Sequence, residues 1–285
     1  MSANLEVTDS EVTGLEVTGS QQSDLRQSAE KQLTKQPGYL NIVASDFDAR
    51  PMSYLNAQGY RTGYEPELAR IVCDRLNLIP VWHNLPMENF YTCLDPASNS
   101  EYDVVWFNQA ITPERQKAVS FTQPYGLFDE AVLVKHASTV SAPDQLANQR
   151  VGGLADSTNI ALVEDFPDAQ AVPYPGSDKV LPEMLAALRS GDIDALIDDE
   201  LVLLVAAAED TSLRLAFSLP TAAPFAIGVS KTQPELLAQL EAVLSELIAD
   251  GTLAELWDVW IPWKPFPLES SLGSAVSSSP VSSPA

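Results

Sequence analysis

Between residues 37 and 267 the chain alternates short apolar runs with amphipathic stretches, and this alternation narrows the fold more than any other feature. Runs with strand character fall at 39–45, 79–84, 102–107, 130–135, 150–154, 169–173, 194–197, 213–217 and 225–230. Stretches with helical spacing fall at 64–76, 88–94, 112–118, 143–147, 158–164, 177–190, 199–208, 234–249 and 252–260. Regular alternation of this kind predicts an α/β fold, with mostly parallel sheets flanked by helices. Pro66 falls in the first turn of its helix, where a missing N–H costs nothing. Gly251 follows a long periodic helix and reads as its cap.

Open α/β sheets bind ligands beyond the carboxyl ends of their strands. The run 102–107 ends at such a place and leads into Ala110-Ile111-Thr112-Pro113-Glu114-Arg115. An arginine fork there matches a carboxylate with two parallel hydrogen bonds. A second strand ends in Asp198-Asp199. One fixed cation and one fixed anion suit a zwitterion, and the simplest zwitterion is an amino acid.

The chain has 285 residues, 45% of them hydrophobic, which allows one or two domains with a sizeable core. Its net charge of −23 repels nucleic acid and anionic membrane surfaces. No stretch reaches the roughly 18 apolar residues of a membrane span. The N-terminus shows no basic start followed by an apolar run, so no secretory signal is visible. Residues 1–36 hold three Glu-Val-Thr repeats and read as a disordered or weakly helical tail; residues 268–285 are rich in Ser and Pro and read as disordered. Two cysteines, Cys73 and Cys93, permit one disulfide, while buried free thiols are the simpler reading.

Six blocks carry a resemblance, in order: Leu40–Asp46 with Pro51, Gly63–Ala69, the stretch around Arg115, Val151–Thr158, Gly191–Asp199 and Ala249–Leu253. From about Leu40 to Trp263 the chain resembles the family 3 extracellular solute-binding proteins, the amino-acid receptors of ABC transporters. The resemblance implies a two-lobed periplasmic-binding-protein-like fold of type II, joined by a two-strand hinge. Lobe 1 would be 37–134 with 225–267, and lobe 2 would be 135–224, with crossings near Lys135 and Pro220–Pro224. It implies a monomer that binds a polar amino acid or similar small zwitterion without a cofactor and hands it to a membrane permease. It also implies a periplasmic or extracellular location, with a lipid anchor as one option, and hence a chain that starts after its export signal. The family's helix-to-strand disulfide does not carry over, because strand 79–84 has no cysteine. The run Trp257, Trp260, Trp263 and Phe266 is expected to pack on lobe 1.

Carried onto this sequence, the resemblance makes Arg115 the clamp on the ligand carboxylate and Asp199 the acceptor of its ammonium. Ser157 and Thr158 would meet the carboxylate from lobe 2, and Asn159 would touch the ligand side chain. Asp46 would read that side chain or pair with Arg50, a cation near the mouth. Phe107 and Asn108 would form a cleft wall, and Met87 would stand where relatives often place an aromatic. Read alone, Arg115 is a surface arginine paired with Glu114 or Asp103, Asp199 and Ser157 are helix caps, and Phe107 and Met87 are core. The chain departs from the pattern at Ala49, where relatives often carry a stacking aromatic, and at Ala110, where they often carry a hydroxyl.

Enzyme motifs are sparse. His83 and His136 are the only histidines and show no metal-ligand spacing. No Gly-x-Ser-x-Gly elbow or phosphate-binding glycine loop occurs. A cyclohexadienyl or arogenate dehydratase shares the fold, but the acid expected a turn after Asp199 is replaced by Val202. A ligand-sensing domain of a receptor is the remaining alternative.

Overall fold

The computed structural model describes residues 32–268 apart from Asn99 and Asp178. The repeats of the N-terminal tail and the Ser/Pro-rich stretch from 269 lie outside the described residues. Residues 34–268 belong to one compact unit.

Two five-stranded sheets organise that unit. The first has the order β4-β1-β5-β12-β6, from Ile79–Asn84, Tyr39–Ala44, Val104–Val105, Gly228–Ser230 and Val119–Phe121. β1 lies parallel to β4 and β5, and β12 runs antiparallel to β5 and β6. The second has the order β11-β7-β10-β8-β9, from Leu213–Phe225, Gly126–Lys135, Ala195–Asp199, Arg150–Leu154 and Gln170–Tyr174. Here β8 is parallel to β9 and β10, and β7 is antiparallel to β10 and β11. A small hairpin of β2 (Tyr54–Leu55) and β3 (Arg61–Thr62) completes the strands.

The helices are α1 (Tyr64–Leu76), α2 (Arg115–Ala118), α3 (Thr158–Ala161), α4 (Val180–Ser190), α5 (Glu200–Glu209), α6 (Pro234–Ala249) and α7 (Thr252–Trp260). The long ones match the periodic stretches closely. The expected helices at 88–94 and 143–147 are short 3-10 turns instead. α1 begins at Gly63, whose φ of 123° lies in the region that favours glycine. A Cβ there would come within 2.5 Å of the Met52 carbonyl oxygen. The turn brings Glu65 into the core, fully buried in the first turn of α1.

The division between the halves differs from the expectation. Residues 126–135 form one continuous strand, and all of it pairs within the second sheet. The first crossing therefore sits near Gly126, not Lys135, and the second runs from Phe225 to Gly228. Antiparallel pairing of β7 with the long β11 is the reason, since Gly126 sits opposite Phe225 in one ladder. Glycine is needed at 126 because a Cβ would meet the Phe225 ring at 2.3 Å.

Trp257 is fully buried on α7 and meets Tyr64 of α1 edge-on at 5.3 Å. Phe266 packs on it at 5.9 Å, whereas Trp263 is half exposed. Cys73 and Cys93 form no disulfide with each other, and burial pushes their pKa values up to about 12 and about 11.

Candidate functional site

The carboxyl ends of β5, β8 and β10 converge on one chamber of about 50 Å³. From the first half it is lined by Phe47, Ala49, Met87, Phe107, Asn108, Gln109, Ala110 and Arg115. Phe128 of β7 and, from the second half, Leu154, Ser157, Thr158, Asn159, Asp198 and Asp199 close it. A wider chamber of about 450 Å³ adjoins it and shares Met87, Gln109, Arg115, Leu154, Ser157 and Thr158.

Arg115 opens α2. Its Nη1 donates to the Ala110 carbonyl at 2.9 Å, so the guanidinium is braced by its own loop. Its face lies over the Tyr91 ring at 5.5 Å, a cation–π contact. The Tyr91 hydroxyl in turn donates to the Gln109 side chain. Neither acid named for a simple surface pair is available. Glu114 is bound to Lys117. Asp103 is fully buried and accepts from the Lys35 and Asn41 amides and the Gln233 side chain. Among the described residues no carboxylate forms an ion pair with Arg115.

Asp199 precedes α5, yet its side chain makes no capping bond. Instead Oδ1 accepts from Asn159 Nδ2 at 3.0 Å and Oδ2 from Asn108 Nδ2. Asn159 Nδ2 also reaches Asp198 Oδ1 at 3.0 Å. Burial, and then the neighbouring Asp198 charge, push the Asp199 pKa well up. Burial likewise raises Asp198, and Glu130 raises both. Glu130 lies directly across the ladder from Asp199 and is held by the Thr221 hydroxyl. Among the described residues no lysine, arginine or histidine pairs with any of these three acids.

Asn108 links the halves. It adopts a left-handed backbone with φ of 49°, a conformation asparagine tolerates better than most residues. Its backbone N–H donates to Glu65 Oε1 at 2.6 Å, and the Tyr125 hydroxyl donates to the same oxygen. Burial raises Glu65 to about 7, opposed by those two hydrogen bonds and the Arg61 charge. A continuous chain of polar contacts thus runs Tyr125, Glu65, Asn108, Asp199, Asn159, Asp198.

Other expected residues fall differently. Ser157 caps α3, accepting from the Ile160 amide at 3.2 Å and donating to the Leu154 carbonyl at 2.7 Å. The Thr158 hydroxyl donates to Asn159 Oδ1 at 3.1 Å. Both residues line the chamber with hydroxyls already engaged. Asp46 and Arg50 do not line it. Asp46 is exposed beside a neighbouring cavity of about 200 Å³ that includes Ser45, Asn84 and Met87. Arg50 pairs instead with Asp48 at 2.8 Å, two residues away, and with Glu209 at 3.3 Å. Phe47, Gln109 and Phe128 are chamber residues that the sequence did not single out. The alternation of polar and apolar residues after β1 was the available signal for Phe47.

Comparison with known proteins finds relatives of the chain in sequence and in fold. Residues 42–262 match the model of the bacterial extracellular solute-binding proteins, family 3. The chain is 30% identical over 178 residues to an ABC transporter glutamine-binding protein of Bacillus subtilis strain 168, across 61% of this chain and 63% of that one. It is 26% identical over 218 residues to ABC transporter arginine-binding protein 1 of Escherichia coli K12, across 74% and 86%. Among solved structures, an ancestral arginine-binding protein bound to arginine superimposes with a TM-score of 0.70 at 23% identity, covering 79% of this chain and 98% of that one. An ancestral amino acid-binding protein, a precursor of cyclohexadienyl dehydratase, superimposes with a TM-score of 0.67 at 24% identity, covering 78% and 95%.

Proposed function

The chain belongs to the bacterial extracellular solute-binding proteins of family 3, and we propose that it captures a polar amino acid or similar small zwitterion between its two halves and presents it to an ABC permease. The halves act as lobes that part at the strands crossing near Gly126 and Phe225–Gly228. A ligand touching both favours their closure, since only the closed arrangement offers every contact. The chain works as a monomer outside the cytoplasm, where a receptor of this family meets its solute.

One observation carries the reading. Arg115, with no acid partner among the described residues, lines the same chamber as Asp199, which has no cation partner among them. Each charge sits where only a ligand of opposite charge would pair with it. A zwitterion satisfies both, its carboxylate on the Arg115 fork and its ammonium toward Asp199. Ser157, Thr158 and Asn159 close on it from the second lobe, while Phe107, Ala110 and Met87 shape the wall. Asp46 and Arg50 lie outside that grip; Asp46 could meet only a long side chain reaching the next cavity.

A dehydratase reading would need a free acid close behind Asp199. Glu200, the only acid there, is held by Lys264 and the Ser218 hydroxyl, and Leu201, Val202 and Leu203 follow it in the core. This favours binding over catalysis.

The test is a thermal-shift and calorimetric screen of the twenty common amino acids, short peptides and small carboxylates. A ligand at a hundred times its Kd should raise stability by about 2.7 kcal/mol. A screen in which no amino acid shifts the melt would overturn the proposal.

A further inference from the structure

Among the side chains that touch Asp199, one buried polar atom has no hydrogen-bond partner. Asn108 Nδ2 faces the Asp199 carboxylate, as it must, because a carboxylate accepts and only the amide nitrogen donates. That orientation turns Asn108 Oδ1 away from the carboxylate. Oδ1 is buried and has no hydrogen-bond partner. Buried polar atoms are nearly always hydrogen-bonded, so an orphan acceptor calls for an explanation.

Rotation would not relieve it. Exchanging the two amide atoms would set Oδ1 against a carboxylate oxygen, which is repulsive. Nor does the backbone allow an easy shift. The left-handed φ of 49° and the bond from the Asn108 N–H to buried Glu65 hold the residue from the first lobe. Asp199 holds its amide from the second. The carboxamide is fixed at both ends, with its oxygen left over beside the chamber that Asn108 lines.

We propose that Asn108 Oδ1 is the direct acceptor for the ligand's α-ammonium, and that it makes the site selective for amines. The inference rests on the reading of this chamber as an amino-acid site. A donor placed on Oδ1 sits one amide width from the Asp199 carboxylate, so a cation there gains both a hydrogen bond and a nearby negative charge. Asp198 and Glu130 add to that field from the second sheet, while Arg115 takes the opposite end of the ligand. The raised pKa of Asp199 fits this arrangement, because an arriving cation favours the charged carboxylate. A carboxylate without an amine would leave Oδ1 still orphaned, and sites built to hydrogen-bond a group reject analogues that lack it. Asn108 would then be a specificity-determining residue, and the same side chain would tie ligand binding to lobe closure.

The experiment compares each amino acid that binds with the same acid lacking its α-amino group, for example L-glutamine with glutaramate and L-alanine with propionate. Calorimetry measures both on the wild type, on Asn108→Gly and on Asn108→Asp. Glycine fits the left-handed backbone and removes the acceptor. Asn108→Asp retains an acceptor oxygen but sets a second carboxyl against Asp199. In wild type the amine form should bind at least tenfold tighter than its deaminated partner. In Asn108→Gly that ratio should fall about tenfold or more, the worth of a charge-assisted hydrogen bond; loss of the Asn108–Asp199 bond between the lobes lowers both affinities together and leaves the ratio untouched. Asn108→Asp should keep the preference for the amine and lose closure, read as faster dissociation. An unchanged ratio in Asn108→Gly, or tighter amino-acid binding, would overturn the inference and leave the receptor reading intact. A wild type that binds no amino acid would overturn both.

Discussion

The two ends of the chamber are built on opposite plans. At one end Arg115 stands on a four-residue helix, braced by one carbonyl and one ring. At the other, Asp199 is wrapped by two amides and backed by Asp198, Glu130 and the buried Glu65. The first is a fork with spare donors on a surface loop. The second is a low-dielectric polar network in which each member fixes the next. On the proposed reading they have separate tasks: the fork would supply strength for any carboxylate, and the network would decide which carboxylates are admitted.

Removing the fork tests this most severely. Arg115→Ala should weaken every amino acid and every deaminated acid alike, by about 10- to 100-fold, the value of a charge-assisted pair. The melting temperature of the protein without ligand should move by no more than about 2 °C, because Arg115 is only part-buried and holds just the Ala110 carbonyl and the face of Tyr91. Equal losses for amine and non-amine ligands distinguish this variant from Asn108→Gly. A selective loss for amines alone would erase the division of labour.

The network end should reveal itself through pH even without ligand. Glu65 is fully buried with its pKa raised from the usual carboxylate range to about 7. Its raised native value means that the folded state binds more protons than the unfolded one between about 4.5 and 7. Stability from this group is therefore fully present below about 4.5 and is lost as pH rises through 7. Asp198 and Asp199, also raised, push in the same direction. Wild type should melt higher at pH 5.5 than at pH 8. Glu65→Gln keeps an oxygen for the Asn108 amide and the Tyr125 hydroxyl, so between pH 5.5 and pH 8 it should remove about 2 kcal/mol of that dependence. An identical pH profile in the variant would show that Glu65 stays charged, and the network would lose its buried anchor.

The same contrast explains what could be read from the sequence. The Arg115 end was legible because it is local: strand, turn and arginine follow each other within a dozen or so positions. Asp199 was legible for the same reason, at the end of an apolar run. The long helices α1, α6 and α7 and the edges of β1, β4 and β8 followed from periodicity alone. What stayed hidden depends on distant partners. Asn108 acquires its geometry from Glu65, in another helix, and its contact from Asp199, in the other sheet. β7 was cut short because Gly126 and the residues after it read as a loop until β11 is laid beside them. Arg50 was expected at the mouth on its position alone, but Asp48 and Glu209 take its guanidinium, and side-chain direction after a strand end is set by a turn that composition does not reveal.

Among the described residues, Arg50 and Lys264 each reach acids of the second lobe away from the chamber, and these contacts should differ as the two ends do. Arg50–Glu209 is exposed, with side chains 43% and 65% accessible. Lys264–Glu200 is far less so, at 22% and 13%, and Lys264 also reaches Asp129 on β7 at 3.0 Å. The Trp257 indole N–H donates to the Lys264 carbonyl at 2.7 Å, fixing the strap that carries the cation. Exposed pairs contribute about 0–1 kcal/mol and fade with salt, so Arg50→Ala should leave affinity unchanged within about twofold. Lys264→Met keeps the stem but strands Glu200 and Asp129 on the second lobe. It should raise the dissociation rate several-fold with little change in association, because partly buried charge pairs act mainly on the off-rate. Stopped-flow tryptophan fluorescence would measure both rates. A slowed association with an unchanged off-rate would mean that this strap steers the ligand in and does not hold the lobes together.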